Sequence, residues 1–239
     1  MRVFSIVICL IITSSIFSNR CFSLQINHEI NFFLEGDSLS NHNFVQKILL
    51  ECSQKAFTVA AKKDEFKNNL AIRIPFPKEL THVEKKLTKL GLRNQIIDLE
   101  NKMNSIAELV SQNVYPSFIE IIKELDVNDI LSILNKQETS FTSHLKVLSH
   151  KELYNDIIPV VKLEVNQSNV IKYWDLLMER YNMLPFVDSV ELDLEDYITS
   201  KIISSLFYLI AHEEKKIMEN LDKNNRSLIK EKLKERISK

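Results

Sequence analysis

Arg73 stands between Ile72 and Ile74 in the run Ile72-Arg73-Ile74-Pro75-Phe76-Pro77. Two prolines at alternate positions force an extended backbone there. Alternation then turns Arg73 away from the face that Ile72 and Ile74 bury. If the protein covers that side, the guanidinium requires a carboxylate partner; the competing use is to hold a ligand. Arg180 and Tyr181 pose the same choice ahead of the turn Asn182-Met183-Leu184-Pro185-Phe186. With Asn104, Asp196 and Tyr197 they are the polar residues from which a ligand site, or a catalytic site drawn from distant positions, would be assembled. No residue is assigned a catalytic role.

The densest acidic run is Glu191-Leu192-Asp193-Leu194-Glu195-Asp196-Tyr197. Such carboxylates can hold a hard cation or exchange protons. Helix capping accounts for them more simply, with Asp193 at the N-cap and Asp196 at the third helical position, where the helix dipole favours negative charge. An EF-hand calcium loop also needs a glycine, and this run has none. Cys52 shares an apolar stripe with Val45, Leu49, Ala56, Val59 and Ala60, which makes it a core thiol. The six histidines, His28, His42, His82, His144, His150 and His212, form no His-x-x-x-His pair. No metal site and no cofactor are expected. Phosphate-loop and dinucleotide fingerprints require glycines that are absent.

The elements that position these residues follow from composition. The chain has 239 residues, a formal net charge of −1, five prolines and only two glycines, Gly36 and Gly91. Near-neutral charge offers nucleic acid no bulk attraction. Sheet architectures need many tight turns, for which glycine is the default residue. The expectation is an all-α, single-domain, multi-helix bundle. The N-terminus, with Arg2, an apolar run from Val3 to Ile12 and a Ser-rich exit, reads as a secretory signal peptide over 1–23, cleaved after Ser18 or Ser23. A helical domain over 24–239 follows, and export to a periplasmic or extracellular space is expected. A retained N-terminal anchor is the other reading. Cys9 and Cys21 fall in the signal region, so cleavage after Ser23 leaves one thiol and no internal disulfide.

Along the domain, Thr81 and Glu84 have the spacing of a capping box, and Gly91 closes that helix in the left-handed conformation. Leu92, Ile96, Leu99, Met103, Ile106 and Val110 form a regular stripe that requires a partner helix. Pro116 is expected to open a new helix, and Asp126 to cap a short one reaching Leu134. Ser149 and Glu152 suggest a second capping box, starting a helix kinked at Pro159, and from Asn166 to Tyr181 one face carries Val170, Ile171, Trp174, Leu177, Met178 and Tyr181. A helix near 194–217 carries Ile198, Ile202, Ile203, Leu206, Phe207, Leu209 and Ile210 around nearly its whole circumference, which places it centrally, before Glu213-Glu214-Lys215-Lys216 returns to water. The tail from Ser227 is amphipathic, the pattern of a peripheral membrane helix, but Glu231 and Glu235 offset the lysines that would hold it to an anionic surface.

These landmarks resemble a mainly bacterial family, the domain of unknown function 4197, from about Ser38 to Leu233. The carrying residues are Ile72 to Pro77, Leu90-Gly91, Met103-Asn104 with Ala107, Ile133-Leu134-Asn135, Arg180-Tyr181-Asn182 with Leu184-Pro185-Phe186, Asp193 to Thr199, Leu206-Phe207 and Glu213 to Ile217. The family's glycines and aromatic pair after Ile-Leu-Asn are replaced here by Lys136, Gln137, His144 and Leu145, and its glycine before Leu-Phe by Ser205. The resemblance implies an exported helical protein and no particular activity. The functional expectation is a non-enzymatic protein that binds a protein partner or small ligand. An enzyme built around Arg73, Arg180 and Asp196 is one alternative, and a peripheral membrane protein another.

Overall fold

The computed structural model describes residues 38–126 and 141–220. Seven α-helices account for most of them: α1 (Ser38–Ala60), α2 (Glu65–Asn68), α3 (Thr81–Lys89), α4 (Arg93–Glu124), α5 (Phe141–Ser168), α6 (Val170–Asn182) and α7 (Leu194–Asn220). A 3-10 turn, Lys78–Leu80, leads into α3. No strand occurs among the described residues, and the protein is an all-α bundle. The signal region, the short helix expected after Asp126 and the tail from Ser227 lie outside the described residues.

α1 and α4 run antiparallel. The Gln46 side chain donates to the carbonyl of Ile122 at 3.1 Å, and Gln112 donates to that of Ala61 at 2.9 Å. Val45, Leu49, Cys52, Ala56 and Ala60 line the buried face of α1, as their spacing predicts. Burial pushes the Cys52 thiol well above its ordinary value, and neighbouring Glu214 adds to the shift, so the sulfur stays protonated in the core. α3 ends as expected, with Gly91 at φ +81°. The Leu92 N–H reaches the Leu87 carbonyl and the Gly91 N–H that of Thr88, the paired bonds of a Schellman motif.

Tertiary packing overrides several local signals. Pro116 does not begin a helix; it lies inside the 32-residue α4. Its position on the solvent side lets the ring project outward, while Val114, Phe118, Ile121 and Ile122 carry the buried stripe past it. That apolar continuity compensates for one missing backbone bond. Ser149 likewise starts nothing. It is buried mid-helix, and its hydroxyl donates to the Leu145 carbonyl four residues back at 2.7 Å. Pro159 also sits within α5. Val170, Trp174, Leu177, Met178 and Tyr181 share the buried face of α6 as their spacing predicts, but that helix begins only after Asn169, whose φ of 59° separates it from α5. Nor do Thr81 and Glu84 form a capping box. Thr81 donates to the Lys78 carbonyl of the 3-10 turn, and Glu84 pairs with Arg93 at 2.6 Å.

α7 packs on α5 and α1 and more lightly on α4, while α4 touches every other helix of the described set. Around Phe207, which is 3% exposed, α7 is dry. It nevertheless keeps one wet stripe at four-residue spacing: Asp196, Ser200, Ser204, Tyr208 and His212 are all exposed. The expected return to water at its end fails at Glu214, which is 3% exposed. Its carboxylate accepts the backbone N–H groups of Phe141 and Thr142 at 2.7 and 2.9 Å, and the Thr142 hydroxyl as well. One helix thereby supplies the N-terminal cap of another, where a carboxylate satisfies orphan donors.

Candidate functional site

The segment Ile72–Pro77 belongs to neither helix nor sheet, yet Ile72, Ile74 and Phe76 are buried. Buried peptide groups need partners, and here side chains provide most of them. The Asn104 amide lies alongside Ile74, its Oδ1 accepting the Ile74 N–H and its Nδ2 donating to the Ile74 carbonyl, each at 2.8 Å. The same Nδ2 donates to the Glu100 carbonyl at 2.7 Å. One turn earlier on α4, the Glu100 carboxylate accepts the Phe76 N–H at 2.8 Å and the Arg73 guanidinium at 2.6 Å. From α7, the Tyr197 hydroxyl donates to the Pro75 carbonyl at 2.9 Å and Ser205 donates to that of Ile72 at 3.0 Å. Burial holds the Tyr197 phenol above its ordinary value, with Glu79 and Glu100 reinforcing the shift, so it acts as a neutral donor.

Three of the six residues singled out by sequence, Arg73, Asn104 and Tyr197, therefore meet at this one segment. The other three lie elsewhere. Arg180 is exposed on α6. Tyr181 is buried, its ring edge-on to His82 at 6.2 Å and under the Lys86 ammonium at 5.6 Å. Asp196 accepts the Tyr154 hydroxyl at 2.7 Å near the start of α7, and its own N–H donates to the Asp193 side chain, the N-cap bond its position suggests. The bond between the Tyr154 hydroxyl and the Asp196 carboxylate lifts the Tyr154 phenol above its ordinary value.

A solvent-open pocket of about 600 Å³ borders the stapled segment. Its walls come from residues 70–78, from Arg93 and Glu100 of α4 and from Lys201, Ser204, Ser205 and Tyr208 of α7. Arg73, Lys78, Arg93 and Lys201 line it together with a single carboxylate, Glu100. Ser204 and the half-exposed Tyr208 face it from α7, and Leu70 and Ala71 give it an apolar edge. Neither Arg180 nor Asp196 contributes. Glu100, Lys78, Arg93 and Lys201 are not among the residues singled out by sequence, and Ser205 stands there only as a departure from the family pattern. Glu100 sits at i and Asn104 at i+4 of one helix, a spacing that puts both side chains on one face, which was the signal available. Among the described residues, no group of three or more His, Cys, Asp or Glu side chains is arranged to hold a metal ion.

The molecule is thus an all-helical bundle in which one non-helical segment is fastened by side chains beside a cation-rich pocket. The family model described as a protein of unknown function, DUF4197, matches residues 38–232, and the chain belongs to that family. No curated protein and no solved structure matches it.

Proposed function

We propose that this is a non-enzymatic, exported protein that binds a small ligand in the pocket beside Arg73. The observation that carries the reading is the pocket itself. A cleft of about 600 Å³ is of the size that small-molecule sites occupy, and four elements supply its walls: the extended segment, the 3-10 turn, α4 and α7. Glu100, the carboxylate in the wall, already accepts from Arg73 and Phe76; it anchors the segment and is poorly placed to abstract a proton. Arg73 carries a mixed role, with one guanidinium nitrogen spent on Glu100 and about a third of its side chain still exposed. The N-terminal run supports export, since an apolar stretch after one basic residue and before a Ser-rich exit is how secretory signals are built. Mass spectrometry of small molecules released from the purified full chain tests the reading. A stoichiometric compound, absent after Tyr208→Glu substitution at the pocket mouth, is expected; a chain that releases nothing and shows no thermal shift with any of a broad metabolite set overturns it.

A further inference from the structure

The geometry points to an oxyanion ligand: the pocket selects a small organic molecule bearing a phosphate or carboxylate group. This rests on reading the pocket as a ligand site and names its chemistry. Four cations converge on it from four elements, Arg73 from the extended segment, Lys78 from the 3-10 turn, Arg93 from α4 and Lys201 from α7. Like charges gathered this way in a cleft set up a positive field that attracts an anion. Structural pairing offsets only part of it. Glu100 takes Arg73 and Glu84 takes Arg93, each at 2.6 Å. No ion pair among the described residues involves Lys78 or Lys201; the Lys201 ammonium lies 5.2 Å from the centre of the Tyr197 ring.

The backbone adds to the same field. α4 begins at this rim with Arg93, has no acidic residue in its first turn and no side-chain cap. Its own first turn therefore brings no negative charge to the positive dipole end, and the carboxylate nearest it, Glu84 of α3, is taken up by Arg93. An anion in the pocket would pair with the two lysines that Glu100, the carboxylate in its wall, does not reach. Ser204 and the Tyr208 hydroxyl offer neutral donors at the wall. The Tyr208 ring, with Leu70 and Ala71, suits the body of an organic anion better than a bare ion.

Isothermal titration of the full chain with pyrophosphate and with citrate tests the inference and separates phosphate from carboxylate sources. Binding of either is expected, weakening with added salt. The pair Lys78→Ala and Lys201→Ala should weaken it by about tenfold or more, since charge-assisted bonds contribute that much or more. Lys215→Ala with Lys216→Ala, at the far end of α7, should leave it unchanged. No binding of either anion, or binding that survives the first pair or falls equally with the second, overturns the inference. A parallel titration with indole, a neutral ring, followed at the amide of Tyr208, separates the two readings. If indole binds there and the anions do not, the oxyanion assignment fails and the ligand pocket stands. If neither binds, the oxyanion assignment falls, and the ligand pocket falls with it once the chain also releases no compound and shows no thermal shift across the metabolite set.

Discussion

Asn104 and Ile74 exchange two hydrogen bonds of 2.8 Å, the side-chain amide of one meeting both backbone groups of the other. A carboxamide has the donor and acceptor of a peptide group, so Asn104 does for this segment what a neighbouring strand does in a sheet. With Glu100, Tyr197 and Ser205 it fastens a chain that two prolines keep out of helix, and the fastening holds Arg73 at the pocket. Asn104→Ala should therefore lower stability by about 2–4 kcal/mol, since it orphans both a buried N–H and a buried carbonyl. Urea denaturation measures this, and a loss under about 0.5 kcal/mol would show that the segment is held by packing alone.

The pair Arg73 and Glu100 couples in a directional way. Arg73→Ala leaves a carboxylate that is 6% exposed with the Phe76 N–H but without its countercharge. A cost of about 1–3 kcal/mol is expected, moderated because the guanidinium is partly in water. Adding Glu100→Gln removes the stranded charge, so the double variant should be more stable than Arg73→Ala alone. A double-mutant cycle by denaturant melts reads the sign, and additive losses would contradict the ion-pair account.

Glu214→Gln should loosen the start of α5. The amide keeps one acceptor where the carboxylate offers two, and it loses the charge that favours a helix N-terminus. A loss of about 1–3 kcal/mol is expected, with amide exchange rising selectively over the first turn of α5. Uniform exchange across the bundle would instead show a global effect.

Glu108 predicts a pH dependence. Its carboxyl is raised above the ordinary value of 4.5, chiefly by burial, with the backbone groups of Asp64 and Phe66 opposing the shift and the charges of Asp64 and Glu65 adding to it. The native state therefore binds this proton more tightly than the unfolded chain. Its contribution to stability is full below the unfolded value and declines as pH rises through the raised one. Comparing urea midpoints across the weakly acidic range, Glu108→Gln should remove part of the decline; an unchanged pH slope would assign it to other groups.

Pro116→Ala tests the continuity of α4. Alanine restores the backbone N–H toward Gln112 in an exposed turn, so a gain of about 1–3 kcal/mol is expected from helix propensity. Destabilisation would mean that Pro116 is needed to shape the helix.

Much of the fold was legible along the chain. Two glycines among 239 residues, the regular stripe from Ile96 to Val110 and the left-handed stop at Gly91 each follow from local geometry, which a sequence states directly. So did the exclusion of helix at Ile72–Pro77, because proline acts on its own backbone and its immediate neighbour. Cys52 in the core and Asp193 at its cap belong to the same class.

Only the tertiary structure decided whether a local signal was used. Pro116 and Ser149 look like helix starts until the buried stripes on either side of them join, because burial of a continuous apolar face outweighs one missing or diverted hydrogen bond. Glu84 and Glu214 found partners in other helices, since a carboxylate takes the nearest unsatisfied donor in space. Arg73, Asn104 and Tyr197 came together while Arg180, Tyr181 and Asp196 did not, although all six look alike as isolated polar residues. The gathering of Lys78, Arg93 and Lys201 around Arg73 has no signature in sequence spacing, since it arises only where four elements meet.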